Sequence, residues 1–314
     1  MAKQIKIQQL NVKQFEAMFP DDDACKMYLA AHRWPGGVCC PRCGSVKVSE
    51  SGTKPFHWVC YDCADKSSYR FSVLVNTIFE NTNVPLRQWF RVIHLMVTSK
   101  KGISALQVMR YMGFGSYKTA WGMCHKIRTA MMDGEFQKLM GIVEVDETFV
   151  GGKAKNKHKS KRGYRGGGGG PGSGNPTGSG TSNEKAIVVG AVEREGNVVA
   201  RVIASIHSRD VIPFIREAVS DKVSLLCTDA ARAYLPLRHE YPQHKSVDHR
   251  AGEYVVGALH TNTIEGFWSQ LKRAIIGTHH KVSAKYLPLY VAETQFKYNN
   301  RKNANIFAAA VAGC

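Results

Sequence analysis

Two pairs of cysteines constrain the fold of this chain more tightly than any other feature. Both pairs have the form CxxC, Cys40 with Cys43 and Cys60 with Cys63, and a sixteen-residue arm separates them. This spacing is typical of a zinc ribbon, in which each pair forms a tight turn and the four thiolates bind one Zn²⁺ ion. A unit this small buries little apolar surface, so the metal would supply its folding free energy.

The identity of the first zinc ligand is open, because Cys39 directly precedes Cys40. The sequence CPRCG favours Cys40, since Gly44 then follows the second thiolate, where a positive φ is expected. The competing interpretation is four unrelated buried cysteines. A ribbon alone does not reveal a function, because such units bind DNA, bind protein or simply hold a loop.

A formal net charge of +18 indicates a polyanionic partner. A fold does not need this excess, which costs self-repulsion, so nucleic acid is the first candidate and an anionic membrane the second. No apolar run approaches the length of a spanning helix, and the amino terminus lacks the apolar segment of a secretory signal. We therefore expect a reduced, cytoplasmic protein of two or three domains with no membrane partner.

The sequence after the ribbon predicts three helices. The first begins near Pro85 with Asn83 as its cap, and the next two, at 104–112 and 116–132, are joined by a glycine-containing turn. Two helices joined in this way resemble a helix-turn-helix. The surface of the third helix is expected to offer cations to DNA phosphates: Lys118, His125, Lys126 and Arg128. The alternative is a plain helical bundle that links two domains.

The stretch IVEVDETFVGG, residues 142–152, predicts an acidic strand. Period-two alternation places Glu144 and Asp146 on one face and Glu147 on the other. Acids spaced this closely are unfavourable in an ordinary strand, which indicates metal binding or proton transfer for at least one of them, Asp146 first. On this stretch alone, an edge strand with a solvated acidic face is the competing interpretation.

A basic, glycine-rich insertion is predicted at 151–183. It contains seven Lys and Arg residues and no acid. Such a segment cannot bury enough apolar surface to pack, so we expect it to be disordered or weakly ordered. Its basic half would follow DNA phosphates, unless the whole segment is only a solvated linker.

The second half of the chain supplies two further acids. A hairpin is predicted at 184–206, followed by a helix and by an apolar strand that ends at Asp229. An amphipathic helix within 260–277 carries Glu265 in its first turn, with Thr261 or Thr263 as its cap. Asp229 could also be no more than a helix cap.

This order of elements is that of a ribonuclease-H-like fold, which brings Asp146, Asp229 and Glu265 to one point. Three converging carboxylates suit two divalent cations such as Mg²⁺, which prefers oxygen ligands and bridges phosphates. Two such ions activate an attacking hydroxyl and stabilise the leaving oxygen in phosphoryl transfer. Without metal, the carboxylates would repel one another and hold protons.

Four stretches of the sequence carry a resemblance to a known family. They are CPRCG…CYDC at 40–63, VDETFVGGK at 145–153, TDAARAY at 228–234 and, most specific, HTNTIEGFWSQLKR at 260–273. Together they resemble the bacterial insertion-sequence DDE transposases with an amino-terminal zinc ribbon. The resemblance covers most of the chain, and the long glycine-rich insertion is its one departure.

The resemblance implies Asp146, Asp229 and Glu265 as the catalytic acids, in that order. The last two are 36 residues apart, close to the usual gap in the family. Lys272 matches a basic residue that lies seven positions after the third acid and contacts DNA near the scissile phosphate. The family also implies catalytic Mg²⁺ or Mn²⁺, double-stranded DNA with terminal inverted repeats, a target DNA, and a homo-oligomer that joins two ends.

The activity implied is cleavage at the element ends followed by attack of the freed 3′-OH on target DNA. Two other functions stay open: a nuclease or resolvase of the same fold without strand transfer, and a non-enzymatic DNA-binding regulator. The regulator leaves the three acids unexplained. The fold class expected is multidomain α+β and α/β. Its parts are a helical entry at 1–37, a zinc ribbon at 38–80, a helix-turn-helix-like segment at 83–135 and a ribonuclease-H-like catalytic domain at 140–302.

Overall fold

The computed structural model of the chain contains two compact units. The first comprises residues 1–133 and 300–314, and the second comprises 134–299. The described residues are 11–63, 69–132, 136–151, 185–247 and 260–314. The glycine-rich insertion predicted at 151–183 lies, from residue 152 onward, outside the described residues.

Both units contain helices and strands. The helices are α1 Val12–Met18, α2 Asp22–Arg33, α3 Leu86–Thr98, α4 Ala105–Met112, α5 Tyr117–Ala130, α6 Ser208–Ala218, α7 Leu237–Glu240, α8 Asn262–Ala274, α9 Leu287–Asn299 and α10 Ile306–Ala312. The strands are β1 Val48–Glu50, β2 His57–Cys60, β3 Tyr69–Ser72, β4 Ile142–Val150, β5 Ala186–Glu193, β6 Val198–Ile203, β7 Leu225–Asp229 and β8 His244–Val247. A 3₁₀ turn spans Arg232–Tyr234, and a π-helical turn, Ile275–His279, extends α8. Within the described residues, no helix has both the length and the apolar character needed to cross a membrane.

Aromatic side chains form the core of the first unit. Phe307 on α10 packs edge-on against Phe15 of α1 and Phe90 of α3, with ring centroids 6.0 and 5.6 Å apart. It also lies 5.6 Å from Phe19. These contacts explain why residues 300–314 belong to the first unit although they follow the second in the chain. The sequence analysis did not predict α10.

Local capping residues start several helices of the first unit. Asp21 caps α2, and Ser116 caps α5, each by accepting a hydrogen bond from a backbone N–H of the first turn. The cap predicted for α3 was wrong: Pro85, not Asn83, precedes the helix, and it supplies no side-chain bond. Instead Asp22, from α2, accepts bonds from the N–H groups that begin α3, at Leu86 and Arg87 (3.3 and 2.8 Å).

Two cations predicted on the surface of α5 are buried. Arg128 is 2% exposed and His125 is 8% exposed. Cys124 precedes Arg128 by one helical turn and is itself fully buried, so both side chains lie on the helix face that packs into the unit. The prediction that Arg128 and His125 lie on the surface of α5 was therefore wrong. Lys118 and Lys126 are exposed, as expected.

The second unit is built on a five-stranded sheet with the order β6-β5-β4-β7-β8. Strand β4 pairs antiparallel with β5 and parallel with β7, and β8 continues the parallel side. Strand β8 was not predicted. The backbone N–H groups of Val198 and Ala200, on the edge strand β6, donate to side chains of α9, at Asn299 and Gln295.

Helices cover both faces of this sheet. Val143 and Val145 pack into a core with Ile215 of α6. On the other face, Val188 of β5 packs with Ile264 of α8. Because side chains alternate along a strand, the positions between the valines of β4 face α8. This alternation sets where the acids of β4 lie.

Leu226 of β7 is fully buried, whereas Leu235 in the following turn is 48% exposed. We expect Leu226→Ala to lower the free energy of unfolding by about 2–5 kcal/mol, because it leaves a cavity in the core. The matched variant Leu235→Ala should change it by less than about 0.5 kcal/mol. Chemical denaturation of the full chain measures both, and equal effects would contradict this core assignment.

Candidate functional site

The four predicted zinc ligands form one compact cluster. Their Sγ atoms all lie within 4.8 Å of one another, with 3.7 Å between Cys40 and Cys63 and 3.7 Å between Cys43 and Cys60. A tetrahedral Zn²⁺ with Zn–S bonds of about 2.3 Å requires sulfur atoms about 3.8 Å apart. The cluster therefore fits one structural zinc ion. Cys40, rather than Cys39, is the first ligand of this set.

A tight turn places the first two thiols. The N–H of Gly44 donates to the carbonyl of Cys40 at 2.8 Å, and Gly44 has a φ of 75°. This left-handed conformation is readily available only to glycine, so the CPRCG sequence specifies the turn. Cys60 ends strand β2, which pairs with β3, and Cys63 follows in the next turn.

The second unit brings together acids from two strands and a helix. Asp146 lies in β4, Asp229 ends the neighbouring parallel strand β7, and Glu265 lies in the first turn of α8. Burial raises the pKa of Asp146, and the charges of Asp229 and Glu265 add to this effect, so that it reaches about 6. Strand β7 runs parallel to β4, and Trp268, one turn after Glu265 on α8, donates to Asp146, so these elements place the three acids near one another.

Each of the three acids has one oxygen held by the protein. Asp229 Oδ1 accepts a hydrogen bond from the N–H of Ala231 at 3.0 Å, and Glu265 Oε1 accepts a long one from the hydroxyl of Thr261 at 3.4 Å. Asp146 Oδ2 accepts one from the indole N–H of Trp268 at 2.9 Å. A carboxylate has about four lone-pair sites, so each acid can bind a metal ion beside these hydrogen bonds.

Among the described residues, the cysteines are the group of metal ligands whose donor atoms all lie within 4.8 Å of one another. The three carboxylates do not form such a group. Carboxylate oxygens are nevertheless the ligands that Mg²⁺ and Mn²⁺ prefer.

The contact between Trp268 and Asp146 was not predicted from the sequence. The indole lies against Gly190 of β5, the residue that pairs with Asp146 in the sheet. A Cβ atom on Gly190 would lie 2.7 Å from the Trp268 ring. The ring therefore reaches Asp146 only because position 190 has no side chain. Trp268 follows Glu265 by one helical turn, and this spacing was the sequence signal that could have predicted its place near the acids.

Glu144 lies on the same face of β4 as Asp146, as predicted, but it binds the start of α8 and Arg194. Its carboxylate is fully buried and accepts bonds from the backbone N–H groups of Thr263 and Ile264. It also pairs with Arg194 at 2.6 Å. Both oxygens are thus engaged by the protein, which argues against Glu144 as a metal ligand.

Glu147 lies on the opposite face of β4, as the alternation predicted. Its carboxylate accepts a hydrogen bond from the hydroxyl of Tyr234. Its pKa is raised to about 7, first by burial and then by the charges of Asp229 and Asp146. Glu147 was not predicted as a site residue, yet the charges of Asp146 and Asp229 act on its carboxyl group.

Comparison with known proteins identifies the family of the chain. Residues 138–299 match the ISXO2-like transposase domain, and residues 20–66 match a transposase zinc-ribbon domain. The first match spans more than half of the chain and contains all three acids. The chain belongs to the ISXO2-like transposases. The resemblance stated from the sequence motifs is thereby confirmed.

A curated relative of this transposase comes from Halobacterium salinarum. It is described as an uncharacterized protein in transposable element ISH50, and it is 30% identical over 278 residues. The aligned region covers 86% of this chain and 88% of the relative. No solved structure matches the chain.

The transposase exposes three of the five cations predicted to bind DNA. Lys272 is exposed on α8, two turns after Glu265. Lys118 and Lys126 are exposed on α5, where the Lys126 ammonium donates to the carbonyl of Ile78 at 3.3 Å. Their contacts with DNA stay predictions.

Cys43→Ser should abolish zinc binding by the transposase, because it removes one of four ligands from a closed site. Cys39→Ser is the matched control and should keep one zinc per chain. Elemental analysis of the purified proteins measures the zinc content, and thermal unfolding shows its effect on the ribbon. Loss of zinc in Cys39→Ser would contradict the assignment of Cys40.

Trp268→Phe should weaken Mn²⁺ binding by the transposase while its fold is kept. The phenyl ring keeps most of the packing but removes the donor that favours ionised Asp146, and loss of such a partner costs roughly 10- to 100-fold in metal affinity. Calorimetric Mn²⁺ titration measures the change. Trp34→Phe, in the other unit, is the control, and equal affinities in all three proteins would refute this role.

Proposed function

We propose that this transposase cuts DNA at the ends of its element and joins the freed 3′-OH to target DNA. Asp146, Asp229 and Glu265 would hold two Mg²⁺ or Mn²⁺ ions for both steps. The observation that carries the proposal is the placement of these acids on two adjacent parallel strands and on the helix whose Trp268 bonds to Asp146, inside the region that matches a transposase domain.

The sheet order supports a ribonuclease-H-like catalytic domain. Counted from β4, the strands lie in the order 3-2-1-4-5, and the second strand runs antiparallel to the first. The acids come from the first strand, the end of the fourth strand and a later helix. This is the arrangement that the sequence analysis expected of that fold.

The residues of the site would orient the reaction rather than supply its nucleophile. When bound, two divalent ions activate the attacking oxygen and stabilise the leaving oxygen of an in-line displacement. The hydrogen bonds to Asp146 and Asp229 hold these carboxylates in place before DNA binds. A site organised in advance avoids reorganisation during the reaction. Lys272 lies on the helix of the third acid and would contact a phosphate near the cut.

Binding of double-stranded DNA would use the excess positive charge. The net charge of +18 favours phosphates without regard to sequence. Lys118 and Lys126 on α5 are the exposed candidates for contacts with the terminal inverted repeats. The two ends of an element must be cut together, so we expect a homo-oligomer in the active complex.

The decisive experiment uses duplex DNA that carries the inverted repeats flanking the element, with one end pre-cut to expose its 3′-OH. Asp229→Asn should lower cleavage and joining at least roughly 100-fold, because it removes a charge that holds the ions. DNA affinity, measured by gel shift, should not change. Asp221→Asn, exposed in the turn before β7, is the matched control.

The outcomes separate the competing functions. Joining that depends on Mg²⁺ supports a transposase with strand transfer. Cleavage without joining of the pre-cut end would favour a nuclease or resolvase. Unchanged activity on DNA in Asp229→Asn would overturn the proposed centre and favour a regulator.

A further inference from the structure

Helix α8, which carries Glu265, is capped by a residue from a distant strand. Its own N-cap, Thr261, makes no side-chain capping bond. Glu144 of β4 instead accepts from the N–H groups of Thr263 at 2.8 Å and Ile264 at 3.0 Å, and from the Thr263 hydroxyl at 3.0 Å. The first N–H groups of a helix lack intrahelical partners, and the helix dipole favours a negative charge there.

The same carboxylate binds an arginine from a second strand. Arg194, directly after β5, donates its Nε to Glu144 at 2.6 Å and its Nη2 to the carbonyl of His260 at 3.0 Å. The Nδ1 atom of His260 lies 3.2 Å from Glu144. Glu144 thus joins β4, the turn after β5 and the segment that enters α8. A buried charge is tolerated only when it is paired and hydrogen-bonded in this way.

The hydrogen bonds of Glu144 lie close in sequence to two acids of the proposed centre. Glu144 precedes Asp146 by two residues on the same face of β4, and Thr263 precedes Glu265 by two residues. Fixing the start of α8 at Glu144 therefore fixes where Glu265 lies relative to Asp146. The bond from Trp268 to Asp146 is a second tie, one turn further along α8.

We propose that Glu144 is a positioning residue, which docks the start of α8 on β4 and so sets the spacing between Asp146 and Glu265. The proposal rests on the proposed function, because it takes these two acids as ligands of the catalytic ions. Glu144 itself does not bind the ions, since its oxygens are engaged by α8 and Arg194.

The test compares Glu144→Gln, Arg194→Gln and the double variant, each as the full chain with zinc bound. Mn²⁺ affinity is measured by calorimetry without DNA, and kcat and KM are measured for joining of a pre-cut end. Glu193→Gln is the matched control, because Glu193 also accepts a backbone N–H, that of Gly141, but contacts no part of α8 in the bonds described.

We expect Glu144→Gln to lower Mn²⁺ affinity and kcat by roughly 10- to 100-fold, as loss of a supporting partner does at other metal sites. KM for DNA should stay unchanged. Arg194→Gln should lower Mn²⁺ affinity and kcat as well. The double variant should lose much less than the sum of the two single losses, because both substitutions remove the same contact between Arg194 and Glu144. Glu193→Gln should match the unaltered chain.

Several outcomes would overturn the proposal. If Arg194→Gln left Mn²⁺ affinity unchanged or raised it while Glu144→Gln abolished binding, Glu144 would be a metal ligand. If both variants lowered only the melting temperature, Glu144 would be a purely structural residue. Should Glu144→Gln fail to fold, Thr263→Val removes one of its bonds, and an unchanged Mn²⁺ affinity in that variant would also refute positioning.

Failure of this proposal is distinguishable from failure of the proposed function. Full activity in Asp229→Asn refutes the catalytic centre, whatever Glu144 does. If Asp229→Asn is inactive while Glu144→Gln and Arg194→Gln keep full activity and Mn²⁺ affinity, the positioning role is refuted and the catalytic centre is not. Faster hydrogen exchange at the N–H groups of Thr263 and Ile264 in Glu144→Gln supports the capping role directly, and unchanged exchange argues against it.

Discussion

The transposase-domain unit depends on the hydrogen bonds between the buried carboxylate of Glu144 and the first N–H groups of α8. Glu144 has no exposed surface, and its charge is balanced by Arg194 and by two backbone N–H groups. An unpaired carboxylate in that position would cost several kcal/mol or more. Strand, turn and helix are therefore stable only when they are assembled together, and the spacing of Asp146 and Glu265 follows from that assembly.

Much of this organisation could be predicted because it depends on residues close together in the sequence. The spacing of the cysteines specified the cluster, and the alternation of β4 gave the faces of Glu144 and Glu147. Caps such as Asp21 bond to an N–H three residues away, so a short window contains both partners. The three acids were predicted from their order in the chain and from family motifs, and their catalytic role stays a prediction.

The features that could not be predicted depend on partners far apart in the chain. Helices α3 and α8 are both capped by acids from other elements, Asp22 and Glu144. The sequence next to each helix does not predict such a cap. Arg128 is charged, yet it lies on the packed face of α5, because tertiary contacts outweigh the usual preference of arginine for water. Trp268 reaches Asp146 only because Gly190 pairs with that residue across the sheet.

The return of α10 to the first unit has a consequence for synthesis of the chain. The ribosome releases α1 to α3 early, but Phe307, which covers Phe15, Phe19 and Phe90, follows the entire second unit. The aromatic core of the first unit is thus left incomplete until residues 306–312 emerge. The second unit is synthesised completely before α10 and can finish folding first. Until α10 is made, the first unit exposes apolar surface to aggregation or to chaperones.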